Sequence, residues 1–287
     1  MNSTDFLIED GVLKEYTGHE ENVVIPDGVG CIGEGAFACH KTLVSVVIPD
    51  SVQRIEFHGF WACKHLTRVT IGNGVTEIEA LAFECCGNLT DITLGNAVET
   101  IGRNAFGECK KLTDIYIPAS VVHIEEGAFE ECESLMNITV DEDNSYFSSL
   151  DGNLYDKDQT TLIRYAIGKP APAFVIPDGT VRMGIAAFAH AKHLKQIEVP
   201  NGFDALSEFA FFACVNLESV TLPESLHLID RFAFYSCIGL EKLTLPGRLL
   251  SIEDSAFGNC DKLTLYVPRR SFSAAIVEGC GIPFAYV

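Results

Sequence analysis

Basic side chains are scarce in this 287-residue sequence: 20 Lys and Arg stand against 40 Asp and Glu, for a formal net charge of −20. Nucleic acid and anionic bilayers would repel such a chain, since it cannot gain from released counterions. The expected partner class is therefore protein, basic by complementarity, with neither nucleic acid binding nor membrane insertion. Runs of about 18 or more apolar residues are also missing, so no segment has the length of a membrane-spanning helix. The start, Met1-Asn2-Ser3-Thr4-Asp5-Phe6-Leu7-Ile8-Glu9, lacks the basic-then-apolar order of a secretory leader. Pairs in C-x-x-C spacing are absent among the 11 cysteines, which removes the ligand arrangement that thiolate zinc sites favour. Extended disorder is excluded by a composition of 47% hydrophobic and 21% charged residues.

Phenylalanine, by contrast, recurs at a fixed step. Phe37, Phe60, Phe83, Phe106 and Phe129 are 23 residues apart, and after a gap Phe188, Phe211, Phe234 and Phe257 resume the same interval. A period of this length marks a solenoid, because one unit cannot bury its apolar face without a neighbour stacked on it. Aligned on phenylalanine, the units continue as Leu43-Val46-Ile48-Pro49, Leu66-Val69-Ile71-Gly72 and Leu112-Ile115-Ile117-Pro118, and later as Leu194-Ile197-Val199-Pro200. The alternation predicts a short half-buried strand that Pro or Gly ends. Two further apolar positions follow each breaker, as in Val52 and Ile55 or Val75 and Ile78, and close the coil's far side.

Three residues after most of the phenylalanines stands a cysteine: Cys63, Cys86, Cys109, Cys132, Cys214, Cys237 and Cys260. Ala191 replaces it in one unit, and His40 in the first, where Cys39 lies one residue early. One inward column predicts reduced thiols packed as small hydrophobes. Cross-links between stacked turns are the alternative, because column neighbours would lie near bridging distance. Vicinal Cys85 falls outside the column and is the expected reactive thiol.

The pattern resembles the BspA-like class of leucine-rich repeats, whose units end in Ala-Phe-x-x-Cys-x-x-Leu. Gly127-Ala128-Phe129-Glu130-Glu131-Cys132-Glu133-Ser134-Leu135 is a complete copy, and the likeness spans roughly residues 22 to 268. It implies a right-handed coil of leucine-rich-repeat type, used for adhesion or protein recognition and common on bacterial cell surfaces. The expected fold is a repeat solenoid of nine 23-residue units, with short parallel strands, short helical or irregular turns and hairpin-like caps.

One elongated domain, 1–287, is expected to comprise a hairpin-like cap at 1–25, repeat blocks at 26–140 and 176–268, an inserted hairpin module at 141–175 and a carboxy-terminal cap at 269–287. The cap and the insert are related. Phe147 to Tyr155 parallels Phe6 to Lys14, each with an Asp-Gly pair suited to a two-residue hairpin turn. The insert either protrudes as a ribbon or packs across the array, and residues 269–287 keep Phe272, Ile276, Ile282 and Phe284 but lose the period.

Nothing in this frame supplies an oxyanion site or a nucleophile with an oriented base, so no enzyme activity, catalytic residue, cofactor or metal is expected. A hydrolase or metalloenzyme is the weakest alternative. His190-Ala191-Lys192-His193 is the only short histidine spacing, and Asp141-Glu142-Asp143-Asn144-Ser145 opens like a calcium loop but has Gly152 where the bidentate glutamate belongs. Acidic residues recur before Ala-Phe, at Glu56, Glu79, Glu125, Asp230 and Glu253, with Glu34, Glu126, Glu208 and Asp254 one position on. They either cap a short helical turn or form a docking ridge for a basic partner.

The leading expectation is a non-catalytic module that recognises another protein; a structural or weakly self-associating role is the alternative. Two surfaces are candidates. Exposed strand positions present Arg68, Asp91, Asp114 and Tyr116, with Tyr116 and Arg68 the residue types that most often anchor interfaces. An aromatic group flanks the phenylalanine column at Phe209, Phe212, Phe232 and Tyr235, with Trp61 and Phe57 in the first block. Packing between turns and docking are both open for it. Location is divided, since the resemblance implies a cell surface whereas many thiols without a leader favour a reducing or oxygen-poor compartment.

Overall fold

The computed structural model describes residues 5–253, 255–279 and 281–287, so Asp254 of the acidic column and Cys280 lie outside the described residues. Two compact units, Met1–Lys157 and Asp158–Val287, divide the chain within the inserted segment.

In the first unit each coil begins with the expected strand. Val46 and Ile48 of Ser45–Ile48 point inward while Val47 is exposed, which is the period-two pattern of a sheet with one buried face. Asn22–Val24 and Arg68–Ile71 pair with it in parallel on either side, and Asp91–Thr93 pairs in parallel with Arg68–Ile71, each one period on, as in Ser45↔Arg68 and Ile48↔Ile71. The second of the two apolar positions after each breaker lies in a second parallel sheet of two-residue strands, including Cys31–Ile32, Arg54–Ile55, Glu77–Ile78 and Thr100–Ile101, while the first, such as Val52 or Val75, is buried just before its strand.

The third side differs from a helical turn. Residues two before and two after every column phenylalanine are left-handed, such as Leu81 (φ 59°) and Cys85 (φ 61°) around Phe83, or Phe209 (φ 57°) and Ala213 (φ 53°) around Phe211. This alternation turns every second N–H toward the next coil: Leu81, Phe83 and Cys85 donate to the carbonyls of Arg103, Ala105 and Gly107 at 2.9, 2.8 and 2.9 Å. Each non-glycine residue held there costs roughly 1–2 kcal/mol, which the ladder of inter-coil hydrogen bonds offsets. The acidic residues before Ala-Phe therefore cap no helix. Glu56, Glu79 and Glu125 instead accept the N–H groups of Glu34, Phe57 and Arg103 in the preceding coil at 3.1, 3.0 and 2.8 Å, tying coil to coil.

Inside, the phenylalanine rings stack. Phe37, Phe60, Phe83, Phe106 and Phe129 lie 4.7, 4.9, 5.5 and 5.9 Å apart with planes within 15° of parallel. The hairpin Phe6–Glu9 and Val12–Tyr16 closes the amino-terminal end, turning at Asp10 (φ 49°) and Gly11 (φ 77°) as an Asp-Gly turn requires. Val12 and Leu13 join the short-strand sheet beside Cys31 and Ile32, and Tyr16 lies 5.1 Å from Phe37 on the column.

The inserted hairpin, Phe147–Leu150 with Asn153–Asp156, repeats the same turn at Asp151 (φ 49°) and Gly152 (φ 70°). It packs against the array. Leu154 and Tyr155 are fully buried, and Ile138 donates its N–H to the Gly152 carbonyl at 2.9 Å. Burial pushes the Tyr155 phenol up to about 12.

The second unit rebuilds the coil. Ala173–Val175, Gln196–Glu198 and Ser219–Thr221 form the long-strand sheet, and Ala205–Leu206, Leu228–Ile229 and Ser251–Ile252 the short one. The strand Thr161–Arg164 runs parallel to Arg182–Met183, and Tyr165 lies 5.1 Å from Phe188, so this arm takes the place that Val12–Tyr16 has in the first unit. Phe188, Phe211, Phe234 and Phe257 stack as this unit's own column at 5.1, 5.1 and 5.4 Å. At the far end Phe284–Tyr286 pairs with Thr264–Val267, and the helix Phe272–Val277 buries Ser273, Ala274 and Val277. Phe272 is 66% exposed, so the helix covers the coil with small residues instead of this ring.

Candidate functional site

On the long-strand face of the first unit, the outward residues form polar rungs. Arg68 Nε donates to Asp91 Oδ2 at 3.0 Å, and Asn137 Nδ2 donates to Asp114 Oδ1 at 2.7 Å. Tyr116, 48% exposed, donates its hydroxyl to Asp141. That bond and the carboxylates of Asp141, Asp143 and Glu142 hold the phenol above its ordinary value, while the same bond holds the Asp141 carboxyl below its own. The structure thus aligns Arg68, Asp91, Asp114 and Tyr116 along one face.

The acidic turn beside Tyr116 is organised by Asn144. Its buried amide donates to the Pro118 and Val121 carbonyls, both at 2.9 Å, and accepts the Tyr146 and Phe147 N–H groups at 2.9 and 2.8 Å. This commitment of Asn144 accounts for the calcium-loop likeness as a turn built around an amide. No group of three or more His, Cys, Asp or Glu suited to a metal occurs among the described residues.

Sequence reasoning passed over a ladder at the strand ends. Asp50 Oδ1 accepts the Asn73 N–H at 2.6 Å, and Asn73 Oδ1 accepts the Asn96 N–H at 3.0 Å, along a shallow trough of about 480 Å³ that also meets Val47, Thr70 and Thr93. A Cβ on Gly95 would lie 2.1 Å from the Gly72 carbonyl oxygen, so only glycine permits this approach. The signal was present in the sequence: Asp50, Asn73 and Asn96 each follow the breaker. Buried Arg164 was equally unforeseen; it donates to the Ala186 carbonyl at 2.5 Å and to that of Ala189 at 3.5 Å.

The aromatic group of the second unit is a two-by-two block. Phe209 and Phe232 stack at 5.1 Å and 9°, Phe212 and Tyr235 at 5.5 Å and 10°, and each pair meets the other edge-on at 5.5 and 5.7 Å. All four rings pack between turns yet stay half-buried outside the core. In the first unit Trp61 is likewise half-buried and donates from Nε1 to Glu84 Oε2 at 3.0 Å, while exposed Phe57 lies 3.8 Å from His58.

The cysteine column is more than apolar filling. Each thiol donates to the carbonyl of the column phenylalanine one coil back: Cys63 to Phe37 at 3.0 Å, Cys109 to Phe83 at 3.4 Å, Cys237 to Phe211 at 3.1 Å. Burial holds the thiols of Cys86, Cys109 and Cys237 well above the ordinary range. The ten described cysteines are free. Cys85 is not the accessible one, since it is half-buried, donates to Glu108 at 3.6 Å, and is raised to about 11 by burial and by Glu108 and Glu84. Cys39 is the exposed thiol among the described residues.

This repeat of strand, breaker, Ala-Phe arc and thiol matches the family model described as BspA type leucine rich repeat region, in 6 copies over residues 16–151 and 169–276. The chain belongs to the BspA-type leucine-rich repeat family. Among solved structures, the pneumococcal vaccine antigen PcpA superposes with a TM-score of 0.75 at 22% identity, covering 93% of this chain and 81% of that one. A leucine rich cell surface protein from Faecalibacterium prausnitzii A2-165 reaches 0.61 at 26% identity, covering 98% and 92%. No curated protein matches the sequence.

Proposed function

We propose that this BspA-type scaffold is a non-catalytic module that recognises another protein, in adhesion at a cell surface, through its strand face or its aromatic block. The aromatic block carries the reading. The core is complete without it, and Phe209 and Phe232 occupy left-handed positions that bulky side chains ordinarily avoid. Four rings grouped half-buried outside the core, two of them at left-handed positions, are suited to a docking surface. The surface placement draws on the similar cell surface protein and vaccine antigen.

The test immobilises the full chain and compares capture by the wild type, Tyr116→Ala and Tyr235→Ala. Loss of a specific captured protein with one variant and not the other identifies the face. Equal recovery from all three removes both. Self-association is favoured by one observation, the edge strand Phe6–Glu9 with exposed Leu7 and Ile8. A strict monomer by light scattering at high concentration rejects it.

A further inference from the structure

We propose that the amino-terminal cap is a pH-operated latch, with His40 as the group that releases it. In the column where seven other units carry a cysteine, the first carries His40, and both its ring nitrogens are engaged. Nε2 lies 3.0 Å from the Gly18 carbonyl oxygen, and Nδ1 accepts the Leu43 N–H at 3.2 Å. Only the neutral ring with its proton on Nε2 satisfies both contacts. The ring also lies 5.1 Å from Tyr16, the residue that covers Phe37.

Protonation places an N–H on Nδ1 facing the Leu43 N–H, two donors without an acceptor, beside a leucine side chain that is fully buried. Of the titratable groups around this contact, His19 is the one acting on the ring, Asp5 and Glu20 lie against Tyr16, and Cys63 donates to the Phe37 carbonyl on the next coil. Burial holds His40 below its ordinary value; the Gly18 carbonyl opposes this, and His19 adds to it. The closed cap therefore binds the proton less readily than the open one. Its stability is full above the ordinary value of about 6.5 and is lost as pH falls below it, by up to tenfold in the closing equilibrium per pH unit. A cysteine cannot serve this way, because the column thiols are held above their ordinary range and stay neutral throughout. Release frees residues 5–20 and uncovers the Tyr16–Phe37 end of the apolar column.

Hydrogen exchange read by mass spectrometry at pH 7.5 and 5.0, corrected for intrinsic rates, tests this on the full chain and on His40→Gln. Glutamine offers the same donor and acceptor but cannot take up a proton. In the wild type, residues 6–20 should lose protection by roughly tenfold on acidification while residues 60–130 do not, and the variant should keep its protection at both pH values. Unchanged protection in the wild type, or an equal acid loss in the variant, overturns the proposal. Should glutamine fail to hold the cap at pH 7.5, an NMR titration of wild-type His40 decides: a value below about 6.5 accompanied by movement of the Leu43 amide supports the latch, and one at or above it refutes it.

Discussion

Each of the two units builds the same kind of coil, but their surfaces differ. Residues 1–157 hold 27 acidic and 9 basic side chains, whereas residues 158–287 hold 13 and 11, so nearly all the net charge of −20 belongs to the first. At the outward positions beside the column, the second unit places Phe209, Phe212, Phe232 and Tyr235, while the first places His58, Trp61, Leu81, Glu84, Asn104 and Gly107. Ring stacking, thiol ladder and short-strand sheet are nonetheless common to both. Fold is thus carried by inward residues that the units share, while the outward residues, on which the proposed recognition rests, differ between them.

If that division holds, core substitutions should cost the same in either unit. Phe83→Ala and Phe211→Ala should each destabilise by about 3–5 kcal/mol in urea denaturation, with unit-specific peptides followed by hydrogen exchange. A large inequality would break the comparison at its root. Cys109→Ala and Cys237→Ala should each cost about 0.5–1.5 kcal/mol, because the Phe83 and Phe211 carbonyls each lose the thiol donor and keep one backbone N–H. A cost no larger than that of removing one exposed side chain would show that the thiols only fill space.

Surface terms should separate the units. Raising NaCl from about 0.02 to 0.3 M should stabilise the first by about 1 kcal/mol or less through screening of its like charges, and leave the second unchanged. Equal responses would mean the charge asymmetry has no energetic consequence. The smallest effect concerns reactivity. With Cys85 and Cys260 both raised to about 11, only about a thousandth of each is thiolate at pH 8, so iodoacetamide should label Cys39 first among the ten described cysteines. Fast labelling of Cys85 would contradict its half-buried contact with Glu108.

The repeat frame was legible because burial of a period-two strand and a stacked ring constrains residue type at every turn. Leu43, Val46, Ile48 and Phe60 could be placed inside from spacing alone. The arc was not legible: Leu81 and Cys85 have no composition that marks a left-handed residue, since their conformation is imposed by hydrogen bonds to the next coil. The same reason hid the true role of Glu56 and Glu79, whose partners lie 22 residues earlier. Of the candidate surfaces, Arg68 and Tyr116 could be put on the strand face by alternation, but their pairing with Asp91 and Asp141 depended on register.

Sequence by itself determined the coil, its period, its column of rings and its family, because each unit repeats the same local demand to bury one face. Tertiary structure alone decided which of the described thiols is exposed, that the insert packs instead of protruding, and that His40 has a hydrogen bond at each ring nitrogen. Those outcomes depend on atoms brought together across coils, where the partner is set by stacking and not by neighbourhood in the chain.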